Sequence, residues 1–154
     1  MNPFVYMGLW LVAAGGTGVT VALSLNRATQ EAAIAVPIFV LLAVAVNLTF
    51  IYKLWDAIQF GGQARTTPGK AIGFMFIPLF NIYWLFQVLP GWATDYNATI
   101  KAHNINAPEA PHGLMAAHAV FSFINIPVVS LVVQLASIFK ACTAVTALKA
   151  ARGG

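Results

Sequence analysis

The chain has 154 residues, of which 60% are hydrophobic and only 8% are charged. Soluble globular domains carry about 25% charged and about 45–50% apolar residues, so a water-soluble fold of this length would not hide so much apolar surface. The composition therefore indicates an integral membrane protein whose exterior is covered by lipid. The formal net charge of +4 comes from basic residues at the ends of apolar runs, which favours contact with lipid headgroups over nucleic acid.

Four apolar runs are long enough to be membrane spans, because about 20 helical residues cross the roughly 30 Å hydrocarbon core. We expect the spans at about residues 4–25, 32–55, 71–89 and 114–139. Each should be helical, since an open strand would leave its backbone groups unpaired in lipid. The expected fold is a single all-α domain, an integral membrane four-helix bundle. Whether the fourth span is continuous or broken near Pro127 stays open at this point.

The distribution of basic residues predicts the orientation of the spans. Four spans would place most of them on one side of the membrane, namely Lys53, Arg65, Lys70, Lys140, Lys149 and Arg152. Only Arg27 and Lys101 would lie on the other side. The positive-inside rule then predicts that both termini are cytoplasmic. No Lys or Arg precedes the first apolar run, which predicts an uncleaved span rather than a signal peptide.

The connector between the second and third spans carries clear helix boundary signals. Gly61 and Gly62 should end the second helix. Thr67 is expected to be the N-cap of the next helix, with Pro68 in the first helical position, where its missing N–H has no consequence.

The residues after the third span show a helical pattern of their own. Pro90 should end the span, and Trp92, Tyr96 and Ile100 then recur on one helical face. This pattern predicts a short amphipathic helix that lies near the outer headgroups.

Three asparagines, Asn47, Asn81 and Asn125, fall within the predicted spans. Polar groups in hydrocarbon need partners, so these side chains are the main candidates for an intramembrane site. One hypothesis is a polar site between helices near the bilayer centre. The other is interhelical hydrogen bonding, with about 0.6 kcal/mol for each bond. The predicted spans contain no Asp or Glu, which argues against proton-coupled transport.

Small residues on the first span and one histidine are the remaining candidates for a functional role. Ala14, Gly18 and Ala22 recur every four residues on the first span, a spacing that lets two helices approach closely. His118 is expected to be a shallow histidine at the outer interface, and it is a weak candidate for ligating haem or a metal. The sequence contains no zinc, phosphate-binding or nucleophile motif, so no catalytic residue, metal site or cofactor is predicted.

Residues 55–97 resemble a family of uncharacterised bacterial multi-span membrane proteins, some of which carry a GYF-like domain. The resemblance rests on the turn TTPGKA, the segment FIPLFNIYW and the trailing GWATDYN. It implies a bacterial inner-membrane setting and agrees with a cytoplasmic N-terminus. It supplies no catalytic residues that can be assigned to positions in this chain.

The leading functional hypothesis is a non-enzymatic accessory or scaffolding subunit that packs against other membrane proteins or against itself. It rests on the small-residue face of the first span and on the absence of Asp and Glu from the spans. Two alternatives stay open. One is an oligomeric channel or facilitator lined by the asparagines. The other is a subunit that binds haem, pigment or quinone.

Overall fold

The computed structural model describes residues 1–24, 35–124 and 126–153, without the side chains of Ser24 and Pro127. These residues form α-helices joined by turns and contain no strand, as the sequence predicts. The helices are α1 (Pro3–Ser24), α2 (Ala35–Asp56), α3 (Pro68–Gly73), α4 (Phe80–Ala102), α5 (His112–Phe121) and α6 (Pro127–Gly153). Three of them, α1, α2 and α6, are long and apolar enough to cross a membrane.

The chain divides into two compact units. The smaller unit is Phe4–Phe50, and the larger unit combines Met1–Pro3 with Ile51–Gly154. In the smaller unit, α1 and α2 pack antiparallel. Tyr6 lies against Phe50, with ring centroids 6.0 Å apart, and the Phe39 ring occupies the space beside Gly16 that a Cβ would fill. Only 17% of the most apolar window of each helix is buried, so most of their apolar surface is left for lipid or another protein.

The first hairpin of the larger unit is formed by α3, the 3-10 turn Phe74–Phe76 and α4. Trp84 Nε1 donates a hydrogen bond of 2.8 Å to the Ala71 carbonyl, which holds the two arms side by side. The Phe74 ring meets the Trp84 ring edge-on at 4.9 Å. At the turn, Leu79 adopts a φ of 63° and is 83% exposed.

The second hairpin is formed by α5 and the N-terminal part of α6. Ser137 Oγ donates to the Leu114 carbonyl at 3.3 Å, which places the start of α5 beside the eleventh residue of α6. The turn between the two helices exposes Phe123, Ile124 and Ile126. Phe123 stacks on Phe86 of α4 at 5.7 Å, so this turn lies beside the middle of the first hairpin.

The core of the larger unit lies at the end opposite the two hairpin turns. It is built from fully buried side chains of four helices and of the turn that follows α2. The largest are Trp55, Trp92, Tyr96, Leu54, Ile58, Met115, Leu148 and Val88. These side chains remove apolar surface from solvent at about 25 cal/mol per Å², which is the main favourable contribution to the stability of this unit.

The connector before α3 follows the sequence prediction at the start of α3. The Thr67 hydroxyl accepts a hydrogen bond of 3.3 Å from the Lys70 N–H, and Pro68 is the first helical residue. Gly62, with a φ of 66°, ends the 3-10 turn Gln59–Gly61 that follows α2. The predicted start of α3 is therefore confirmed, whereas α2 ends at Asp56, five residues before Gly61.

The prediction of a continuous third span over residues 71–89 is wrong. The helix stops at Gly73, and α4 begins only at Phe80. Pro78 disfavours helical backbone at Ile77, which is extended with φ −85° and ψ 114°. The chain therefore reverses direction at this point and forms a hairpin.

The separate interfacial helix predicted after Pro90 is also absent, because α4 runs through Pro90 to Ala102. The predicted face exists, but Trp92 and Tyr96 are 0% exposed and Ile100 is 4% exposed. An apolar stripe at helical spacing fits a protein core as well as a lipid surface, and here it forms the core.

The first two predicted spans correspond to α1 and α2, although residues 25 and 32–34 lie outside the described part of the chain. The fourth predicted span is broken, because α5 ends at Phe121 and α6 begins at Pro127. A residue before proline disfavours helical backbone, so the break falls at Ile126 and the residues before it.

Candidate functional site

The carboxylate of Asp95 on α4 is 5% exposed and accepts several hydrogen bonds within the larger unit. It accepts hydrogen bonds from Arg65 Nη2 at 2.6 Å, from Arg65 Nε at 2.9 and 3.0 Å, and from the Arg65 backbone N–H at 2.8 Å. Both carboxylate oxygens are thereby used. Asp95 consequently fixes the connector 61–67 against α4.

The guanidinium of Arg65 lies over α4 at a glycine. A Cβ at Gly91 would lie 3.4 Å from Arg65 Nη1, within van der Waals contact, so the guanidinium packs directly over this position of α4. The hydrogen bond to Asp95 raises the pKa of Arg65 above its usual value, against the opposing effect of burial. The Arg65 side chain remains 46% exposed, so the ion pair has one buried and one hydrated partner.

The connector itself is tightly fitted to α4. Gln59 Nε2 donates at 3.0 Å to both the Trp55 and the Thr66 carbonyls, which ties the end of α2 to the residue after Arg65. A Cβ built at Gly61 would lie 2.5 Å from Thr99 Cγ2, closer than any real carbon contact. Only glycine fits at position 61 with α4 in this place.

Gly61→Ala should lower the free energy of unfolding by about 1–3 kcal/mol, because the new methyl group overlaps Thr99. Thr99→Ser removes the overlapping methyl, while its hydroxyl still reaches the Asp95 carbonyl, so the double variant should recover part of the loss. Gly69→Ala is the matched control, since nothing lies within 4 Å of its Cβ position. Unfolding of the three variants in detergent measures this. Equal effects of Gly61→Ala and Gly69→Ala would contradict the fit.

Two aromatic side chains of α4 bind the carbonyls of neighbouring helices. Trp92 Nε1 donates to the Leu54 carbonyl at 2.7 Å, while the Ile58 N–H bonds Trp55 instead of Leu54. Trp92 thus satisfies a carbonyl in the last turn of α2, where partners within the helix run out. Tyr96 donates to the Ala144 carbonyl of α6 at 2.9 Å. Burial raises the pKa of Tyr96 to about 12, which keeps the hydroxyl protonated as a donor.

The C-terminal end of α4 lies at the same end of the larger unit as Arg65. The His103 ring lies 5.6 Å from the Phe60 ring, and Arg152 Cζ lies 3.5 Å from the Phe60 ring centroid. Lys101 pairs with Glu109 at 2.9 Å on the surface. Lys101 follows Asp95 by six residues, or about 9 Å of helix, so it lies near the end of α4 that contacts Arg65.

No family model, curated protein or solved structure matches this chain.

The predicted asparagines occupy different environments. Asn47 lies in the smaller unit, and its Nδ2 donates to the Ala43 carbonyl of its own helix at 2.8 Å. Asn81 lies in the larger unit, exposed in the first turn of α4 beside the hairpin turn. Asn125 lies outside the described residues. No common site of these side chains is therefore described.

The small-residue face of α1 is largely open. Gly18 and Ala22 are exposed and Ala14 is half-buried. A Cβ at Gly8, Gly15 or Gly18 would meet nothing within 4 Å. This surface is available for a close approach by another helix.

His118 differs from the shallow histidine that the sequence suggests. It is 5% exposed within the larger unit, and its Nδ1 has no hydrogen-bond partner among the described residues. Trp55 Nε1 is likewise buried and unpaired there. The described residues contain no group of three or more His, Cys, Asp or Glu side chains that could hold a metal ion.

The Arg65–Asp95 pair is a feature that sequence reasoning missed. A signal for it exists, because Asp95 is the only acidic residue between Asp56 and Glu109. It also lies next to Tyr96 and three residues after Trp92, on the apolar face that the sequence pattern assigns to an interfacial helix. A carboxylate beside such a face needs a cationic partner, and Arg65 and Lys70 are the nearest candidates in the preceding connector.

Proposed function

We propose that the chain is a small integral membrane protein that acts as an accessory or scaffolding subunit. It would pack against another membrane protein or against a second copy of itself, without catalysing a reaction. The observation that carries this proposal is the exposed glycine face of α1, where Gly8, Gly15 and Gly18 leave open space. Backbones approach closely at such faces, and van der Waals contact then drives association in lipid.

The proposed location is the bacterial inner membrane, with multiple membrane passes and both termini in the cytoplasm. The resemblance of residues 55–97 to bacterial membrane proteins supports the location. Met1 supports a shared side for the two ends, since its amino group donates to Thr146 Oγ1 at 3.2 Å and its carbonyl accepts from that hydroxyl at 2.7 Å. Seven of the eight basic residues belong to residues 51–154. By the positive-inside rule, this favours the cytoplasmic side for the end of the larger unit that carries Arg65.

Replacing glycines on the open face of α1 tests the function. Gly15→Leu together with Gly18→Leu should remove the partner, because two isobutyl groups would hold an approaching helix away. Val12→Leu is the control, since position 12 is 58% exposed on the same side of α1 and already carries a branched side chain.

Native mass spectrometry after gentle extraction provides the readout. We expect the unchanged chain and Val12→Leu to carry an additional polypeptide, and the double leucine variant to lose it. The added mass distinguishes a second copy from a different subunit. Recovery of the unchanged chain as a monomer with only lipid attached would contradict the proposal.

A further inference from the structure

The uncharged parts of the larger unit coincide with its two hairpins. Residues 71–94 contain no Asp, Glu, Lys or Arg, and neither do residues 110–139. The first stretch covers the end of α3, the turn at Leu79 and α4 up to the residue before Asp95. The second covers α5, its turn and the first half of α6. Charged residues therefore lie only at the ends of the hairpins and never at their turns.

The two ends of the first hairpin meet. Arg65 precedes it and Asp95 follows it, yet their side chains are 2.6 Å apart. The Phe60 and His103 rings, further out on either side, are 5.6 Å apart. A segment whose ends touch has not crossed a layer about 30 Å thick between them.

In each hairpin, the first arm, which leads from the charged end to the turn, is too short to cross the bilayer. The first, from Pro68 to Phe76, has six α-helical and three 3-10 residues and is about 15 Å long. The second is α5, with ten residues and a length of about 15 Å. Each arm reaches about half of the hydrocarbon core before the chain turns back.

The hairpin turns expose apolar side chains, and several of their described backbone N–H groups are hydrogen-bonded within the turns. Phe76 is 68% exposed, Leu79 83% and Val128 72%. In the first turn, the N–H groups of residues 77, 80 and 81 bond carbonyls within the turn, and Pro78 has none to satisfy. In the second, the N–H groups of residues 123, 124 and 126 are also paired internally. Internal pairing is what backbone in contact with hydrocarbon requires.

We propose that these two turns form a lipid-binding surface, and that both hairpins enter the membrane from the side of Arg65 and Asp95 and return to that side. The surface consists of Phe76, Ile77, Leu79, Phe80, Phe123, Ile124, Ile126 and Val128. Its occupant is the acyl-chain region of the bilayer. The loop 103–111 then lies on the same side as the connector 61–67.

The position of α5 argues against a full crossing by α6. If α6 crossed the bilayer from Pro127 onward, Leu114, which lies beside Ser137, would sit about 15 Å inside the hydrocarbon. The loop before it, with the surface pair of Lys101 and Glu109, would be drawn in as well. Placing the start of α6 within the bilayer keeps both charges in water. The later part of α6 is apolar because Cys142, Val145 and Leu148 are buried in the core.

This inference is independent of the proposed partner of α1, because it concerns only the larger unit. Its test uses single cysteines in a Cys142→Ala background. Gln63→Cys reports on the connector, Asn106→Cys on the loop 103–111 and Leu79→Cys on the first turn. All three replaced side chains are exposed. Phe76→Cys is a second reporter on the first turn, in case the strained backbone at position 79 does not accept the change.

A charged maleimide is added to sealed vesicles of each orientation. We expect Gln63→Cys and Asn106→Cys to react from the same side, and the two turn variants to lose reaction from both sides. A fluorophore attached to a turn cysteine after solubilisation should be quenched by spin-labelled acyl chains once it is reconstituted. Reaction of Gln63→Cys and Asn106→Cys from opposite sides would overturn the proposal. Reaction of the turn cysteines with the charged maleimide would also overturn it. So would turn cysteines that are protected from the maleimide and cross-link between two chains, while their attached fluorophore is not quenched by the spin-labelled lipid.

Discussion

Asp95→Asn should lower the free energy of unfolding of the larger unit by about 2–3 kcal/mol. The neutral amide offers one acceptor oxygen in place of two and turns an NH2 group toward the guanidinium and N–H of Arg65. Losing a buried ion-pair partner costs up to about 3–5 kcal/mol, but Arg65 is 46% exposed and water can rehydrate it. Chemical unfolding in detergent, followed by tryptophan fluorescence, measures the change.

The chain supplies a matched control for Asp95→Asn. Lys101 and Glu109 form the second described ion pair, with 68% and 60% of their side chains exposed. Glu109→Gln should change the free energy of unfolding by about 0.5 kcal/mol or less, since exposed pairs contribute little. If the two variants were equally stable, Asp95 would not be what holds the connector against α4.

Trp92→Ala should lower the free energy of unfolding more than Asp95→Asn does, by about 3–5 kcal/mol. The indole is 0% exposed and fills the core between α2 and α4, so truncation leaves a large cavity. Trp92→Phe separates the contribution of the ring's packing from that of the indole hydrogen bond. It keeps most of the ring volume but leaves the Leu54 carbonyl without its donor, which should cost about 1–3 kcal/mol.

Tyr83→Ala serves as the control for Trp92, because Tyr83 is on the same helix and 57% exposed. Its expected effect is about 0.5 kcal/mol or less. A Trp92→Ala variant that unfolded at the same denaturant concentration as Tyr83→Ala would show that α4 does not pack into the core as described.

The sequence predicts well that the fold is helical, but it predicts poorly where the chain reverses direction. Composition and apolar run length predict helices that suit a membrane, and α1, α2 and α6 have the necessary length. The local signals at Thr67 and Pro68 predict the start of α3 correctly, because a helix cap depends on neighbouring residues only.

The errors share one physical cause. Length and hydropathy do not distinguish a straight span from a hairpin, and an apolar face does not report whether lipid or protein covers it. Residues 71–89 therefore resemble a span, and the face of Trp92 and Tyr96 resembles an interfacial helix. The decisive contacts join residues far apart in sequence, such as Arg65 with Asp95 and Tyr96 with Ala144. Of these contacts, only the Arg65–Asp95 pair could be predicted from the sequence, because Asp95 is an isolated acidic residue with a basic residue in the preceding connector.

The contact between Met1 and Thr146 has a consequence for the order in which the chain folds during synthesis. The two residues are separated by 145 positions, so this contact forms only after Thr146 has left the ribosome. The Arg65–Asp95 pair spans 30 positions and is available much earlier. Contacts with large sequence separation close late and slowly. We therefore expect the α3–α4 hairpin to form during translation, while α6 and the first residues dock last.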